Sequence, residues 1–174
     1  MLKLGSLKKY FIRKSFRKLL LEKELIRVVS QNEINTVGII VAEDIFSLID
    51  LQREVEKGLN LQNAKIYSFR TYSRKNAFSD KHFSEKYFGW NGQVTQPGFK
   101  VFIEKPFDLL IGYFGKNNLY LENAVLHSKA KFKVGISKVN QELYDIEIAT
   151  SPKNIKEFLS ELKKYLKILK KMKN

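Results

Sequence analysis

The sequence predicts a three-layer α/β sandwich, and three observations predict it. Two runs, Thr36-Val37-Gly38-Ile39-Ile40-Val41-Ala42 and Phe107-Asp108-Leu109-Leu110-Ile111-Gly112-Tyr113-Phe114, are almost continuously apolar, as strands covered on both faces of a parallel sheet are. Shorter alternating runs beside them read as further strands. Apolar stripes at helical spacing separate the runs, and strand, helix, strand in succession is the signature of a parallel sheet.

The first element is a long amphipathic helix, roughly Leu7 to Val28. Ile12, Phe16, Leu19, Leu20 and Ile26 recur near helical spacing, while Lys9, Arg13 and Arg17 follow one another at i+4 beside Lys14 and Lys18. After the strand at 36–42, Asp44 is expected to cap a helix whose inward stripe is Ile45, Leu48, Ile49 and Val55 and whose end is Gly58. Lys65 to Arg70 alternates as a second strand. Residues 72–99 mix Phe78, Phe83, Tyr87, Phe88, Trp90 and Phe99 with basic residues and turn signals at Gly89, Asn91-Gly92 and Pro97-Gly98. This stretch reads as a short helix near 80–88 set in loops, its rings mainly covering the core. Val101-Phe102-Ile103 reads as an edge strand, and Asn118 to Lys129 as a helix after the strand at 107–114. Lys131–Ile136 and Leu143–Ala149 alternate as strands nearer an edge. Ser151 as N-cap and Pro152 at the first helical position open the closing helix, with Ile155, Phe158, Leu159, Leu162, Tyr165, Leu166, Leu169 and Met172 on one side. The expected sheet has about five strands, mainly parallel and flavodoxin-like in outline. Residues 1–30 form a basic helix and residues 31–174 a single α/β domain.

At 174 residues with 44% hydrophobic and 13% aromatic content, the chain is long and apolar enough to bury one core. It has no cysteine, which excludes disulfides, thiolate nucleophiles and cysteine-bound zinc. The longest apolar run in the basic first helix, Leu19-Leu20-Leu21, is far shorter than a signal-peptide core or a membrane span, so a cytoplasmic setting is expected. The net charge of +14 belongs to the ends: residues 1–30 hold nine Lys/Arg against two Glu, and residues 152–174 hold eight Lys against two Glu. A lysine-rich solvated surface competes with any functional reading, because 26 of the 32 basic residues are lysine, which lacks the planar fork of arginine.

No motif identifies a reaction. The turn Ala42-Glu43-Asp44-Ile45 offers two carboxylates and no glycine, so it repels phosphate; Phe114-Gly115-Lys116-Asn117-Asn118 suits an anion better. Glu43 and Asp44 are suited to acid/base work or a divalent cation, but a helix cap is the plainer role for Asp44. His82 and His127 have no metal-ligand spacing, and glycine-rich nucleotide loops and nucleophile elbows are missing from the sequence. The sequence therefore points away from an enzyme, with no cofactor and no metal expected. The leading expectation is an accessory factor that binds structured RNA or the ribosome through Lys9, Arg13, Lys14, Arg17 and Lys18, aided by Lys163, Lys167 and Lys170. An anionic membrane surface is the alternative partner of the first helix. A different class of reading is a small enzyme or ligand-binding module using a strand-end cleft near Glu43, Asp44, Gly112 and Lys116.

Four runs, in order and behind a basic helix, carry a resemblance. They are Val37-Gly38-Ile39-Ile40-Val41 followed by acids, Phe107 to Tyr113, Ser128-Lys129-Ala130-Lys131-Phe132-Lys133-Val134-Gly135, and the closing helix from Phe158 to Leu169. Together they resemble an uncharacterised family of short basic α/β proteins, a domain of unknown function seen mainly in Bacteroidetes. The resemblance implies the fold and a bacterial cytoplasm, and it brings no activity or catalytic residues.

Overall fold

The two continuously apolar runs become the centre of one sheet. The protein is seen here as a computed structural model that describes residues 4–24, 32–75, 79–137 and 139–172. β1 (Val37–Ala42) and β4 (Leu109–Tyr113) pair in parallel with Ile39 opposite Ile111. β2 (Lys65–Phe69) and β3 (His82–Phe83) extend the sheet beyond β1, and β5 (Lys133–Ile136) and β6 (Ile146–Ile148) extend it beyond β4. Among the described residues the sheet has six strands in the order β3-β2-β1-β4-β5-β6, with every pairing parallel. The fold class holds, with one strand more than the five expected. This is the strand order of doubly wound Rossmann sheets, where the topology switches between β1 and β4; flavodoxin-like sheets run 2-1-3-4-5.

Alternation along the central strands feeds two cores. Ile40 and Leu110 point to one face, where α1 (Leu4–Glu24), α4 (Pro97–Glu104) and α5 (Leu119–His127) bring Ile12, Phe16, Phe99, Phe102, Leu121 and Ala124. Ile39, Val41 and Ile111 point to the other, where α3 (Leu51–Leu59) and α6 (Ile155–Ile168) bring Val55, Leu59, Phe158 and Leu162. The first helix is therefore part of the packed body, with Ile12, Phe16 and Leu20 buried.

Several elements differ from expectation, each for a local reason. Residues 25–28 of the expected first helix lie outside the described residues. The helix expected from Asp44 to Gly58 is broken into the single turn α2 (Glu43–Phe46) and α3. The side chain of Asp50, not Asp44, caps α3 by accepting from Arg53 N, and left-handed Asn60 ends it in place of Gly58. Gly58 instead sits inside α3 where a Cβ would collide with Leu159. The short helix near 80–88 is replaced by β3 and a 3₁₀ turn at Glu85–Tyr87, because Ser68 N and Arg70 N donate to the carbonyls of Lys81 and Phe83 at 2.8 and 2.9 Å. A two-residue strand has no periodicity to read. The edge strand expected at 101–103 is helix α4: Pro97 occupies its first turn, Gln96 accepts from Phe99 N, and Phe99, Phe102 and Ile103 face inward at helical spacing. Ser151 and Pro152 form a turn, and α6 begins three residues later, at Ile155, after the Pro152 carbonyl has accepted a hydrogen bond from Tyr113 Oη at 2.9 Å.

Gly112 and Gly135 are register partners on β4 and β5, and the Tyr144 ring lies across both. A Cβ at either position would enter that ring, so these glycines make room for an aromatic cover.

Two stability measurements follow. Phe16→Ala should lower the unfolding free energy in urea by about 3 kcal/mol, the scale of a buried phenylalanine, whereas a loosely attached helix would give almost no change. Gly112→Ala should cost about 1–3 kcal/mol by overpacking against Tyr144.

Candidate functional site

The basic first helix has an inner face of Ile12, Phe16 and Leu20 and an outer face open to solvent. Lys9, Arg13, Lys14, Arg17 and Lys18 are all exposed. Lys18 lies 3.8 Å from Glu22, an exposed pair of little energetic weight. Between these cations stand Tyr10 and Phe11, 60% and 43% exposed, with ring centres 5.6 Å apart. Trp90, 46% exposed, comes from a different part of the chain and lies edge-on to Phe11 at 6.0 Å. Its turn is fixed: Gly92 has a φ of +77°, its carbonyl accepts from the buried Asn123 amide of α5, and a Cβ there would meet that amide. Leu4, Leu7 and Leu21 are exposed on the same helix.

Toward the end of α1, Lys23 turns inward. It donates to the carbonyl of Leu126, and Lys133 donates to that of Val125 at 2.7 Å, so two cations meet the negative end of α5. Burial, reinforced by Lys129, pulls the Lys23 amine down to about 8.

Lys163, Lys167 and Lys170 do not join this surface. α6 packs on the opposite face of the sheet from α1, with Lys167 and Lys170 exposed and Lys163 half-buried. The eight basic residues thus divide into five on one side and three on the other.

Of the residues expected to form a strand-end cleft, Glu43, Asp44, Gly112 and Lys116, the buried Gly112 and the half-buried Glu43 are engaged by other parts of the fold. Gly112 is covered by Tyr144, Asp44 and Lys116 are exposed, and the neighbouring Gly115 is packed by Pro152. Glu43 instead turns toward β2 and β3, where it is the centre of a polar cluster at the carboxyl ends of the strands. Its Oε1 accepts from Arg70 Nε at 3.1 Å and Nη2 at 2.7 Å, and its Oε2 accepts from Ser68 Oγ at 2.8 Å. His82 Nε2 lies 3.1 Å from Oε2 and 2.8 Å from Arg70 Nη2, while Nδ1 is 2.8 Å from Ser79 Oγ. Because a guanidinium only donates, the arrangement suits a neutral ring that accepts at Nε2 and donates from Nδ1 to Ser79. Burial is the largest influence on His82 and lowers its pKa, with Arg70 acting the same way and Glu43 opposing. Burial works against the charge on Glu43, but hydrogen bonds from Arg70 and Ser68 and the charges of His82 and Arg70 outweigh it and hold the carboxyl below its ordinary range.

Sequence reasoning reached Glu43 and missed its partners. The signal available was Ser68 on the same side of the alternating run as Ile66 and Arg70, a polar residue where the strand's inward face is expected; in the structure it is completely buried. His82 and His127 are not brought together: His127 lies at the end of α5 next to the amino ends of the strands and bonds Asn123 O at 3.0 Å. Of the aromatic stretch, Phe83, Phe88 and Phe99 are buried core, whereas Trp90 and Tyr72 are exposed; Phe78 lies outside the described residues. Among the described residues no group of three or more His, Cys, Asp or Glu is placed to hold a metal ion, and no helix is long and apolar enough to cross a membrane.

Residues 8–169 match a family described as a family of unknown function, DUF6913. The chain belongs to that family. No curated protein and no solved structure matches it. The DUF6913 domain includes all five exposed cations of α1 as well as the Glu43 cluster, and its function is uncharacterised.

The cluster makes a titration testable. The ring of His82 should titrate below about 6.5 in a proton NMR experiment, and stability should fall as the pH drops below that value, because the unfolded chain takes up the proton first. Glu43→Gln removes the leading influence that raises the His82 pKa, so its midpoint should move lower still while that of His127 stays; an upward move would contradict this geometry.

Proposed function

We propose that the chain is a non-enzymatic accessory protein of the bacterial cytoplasm that holds structured RNA, including ribosomal RNA, against the outer face of α1. One observation carries the reading: five exposed cations and three exposed rings share a surface whose backbone is anchored to the core through Ile12, Phe16, Leu20 and Asn123. The cations neutralise phosphates and release counterions without reading sequence. Tyr10, Phe11 and Trp90 offer π-faces to unpaired bases, each stack being worth about 1–3 kcal/mol. Lys163, Lys167 and Lys170, on the far face, are outside this contact.

A second reading has its own support. Leu4, Leu7 and Leu21 are exposed beside the same cations, and leucine gains from lipid in a way it does not from RNA, which favours an anionic membrane surface as the alternative partner.

Fluorescence anisotropy with a labelled stem-loop RNA separates these. Wild-type affinity should fall steeply with salt. Replacing Lys9, Arg13, Lys14, Arg17 and Lys18 with Gln should lower the salt slope by up to about 0.9 for each phosphate no longer neutralised, and Trp90→Ala should weaken binding about tenfold. Undiminished binding by the Gln variant would overturn the proposal. Co-sedimentation with phosphatidylserine vesicles, without RNA binding, would replace it with the membrane reading.

A further inference from the structure

We infer that a cavity beside the Glu43 cluster is a binding site for a small organic anion, independent of the basic surface on α1. The cavity is open to solvent and has a volume of about 230 Å³. It lies at the carboxyl ends of β2 and β3, on the strand-end side where doubly wound sheets bind ligands but outward of the switch between β1 and β4.

Its chemistry selects the ligand. Arg70 and Lys86 are the charged groups of the wall; Thr71, Ser73, Ser79 and Ser84 add hydroxyls, and no carboxylate is among the described lining residues. Two neighbouring acids, Glu43 and Glu85, are engaged by other partners. Glu43 is engaged by Arg70 and Ser68, and Glu85 accepts from the backbone N–H of Tyr72 at 3.1 and 3.2 Å. Arg70 gives Nε and Nη2 to Glu43 and His82, which leaves Nη1 unengaged by either. Glu43 thus fixes the guanidinium in place while the two N–H groups of Nη1 remain to donate a charge-assisted hydrogen bond to a second acidic group. The rest of the wall is apolar and aromatic: Phe83, Tyr87 and Tyr72, over whose ring Lys86 Nζ sits at 3.3 Å. A ligand that fits has one acidic group for Arg70 and Lys86 and a compact apolar body for the rings. A carboxylate and a phosphate monoester share this chemistry.

The test is NMR titration of the full chain, observing the His82 ring, with phenyl phosphate, benzoate, inorganic phosphate and uncharged benzyl alcohol as probes. Phenyl phosphate or benzoate should shift His82 saturably, with inorganic phosphate about tenfold weaker for lack of a body and benzyl alcohol without effect. Which of the two organic anions binds more tightly tells phosphate ester from carboxylate. Lys86→Gln should weaken binding about fivefold, and Arg70→Gln should abolish it. Should Arg70→Gln fail to fold, Lys86→Gln decides alone. No shift with either organic anion at about 10 mM, an equal response to benzyl alcohol, or wild-type affinity in Lys86→Gln would overturn the inference.

Discussion

A parallel sheet whose central strands are apolar on both faces has to be roofed on both sides, and this requirement governs the rest of the molecule. β1 and β4 expose almost nothing, so each of their faces needs its own set of helices. α1 and α6 are part of that roofing. Their inner residues are fixed by the cores they cover, and most of their cations are left to the outside because desolvating an ammonium or guanidinium is costly; Lys23, which turns inward, is met by the carbonyl end of α5. The charge concentrated at the two ends of the chain is thereby split between opposite faces. A basic tail would have been free to gather its charges on one partner; two roofs back to back are not.

The same arrangement explains why the polar chemistry gathers where it does. Strand ends are where the backbone stops pairing and side chains can converge. Beside β4, Tyr144 covers Gly112 and Gly135, and Pro152 lies on Gly115 just past the strand end. One step outward, beyond β1, the sheet thins to the two residues of β3, and there the side chains of Glu43, Ser68, Arg70 and His82 meet.

How much of this was legible depended on periodicity. The two buried strands, the alternating β2 and β5 and the stripes of α1, α5 and α6 announce themselves because packing on a sheet or a helix face imposes a repeat over five or more residues. α4 was misread because Val101 and Ile103 favour a strand locally, and only the docking of Phe99, Phe102 and Ile103 onto the sheet decides for helix. β3 is too short for any repeat. Of the candidate site, the exposed cations of α1 were readable, since an inward stripe at helical spacing fixes what faces out. The company of Trp90 was not, because it rests on a long-range hydrogen bond from Asn123. Gly112 looked like a site residue because a glycine near a strand end serves equally for close ligand approach and for close packing, and the sequence does not say what fills the space.

The Glu43 carboxylate reaches across the ends of three strands. It follows β1, and it grips Ser68 and Arg70 from β2 and His82 from β3. The outermost strand, with only two residues in the ladder, is thus joined to its neighbours at the side chains as well as at the amides. Any event that draws Arg70 or Ser68 off the carboxylate removes a side-chain tie between the end of β1 and the margin of the sheet.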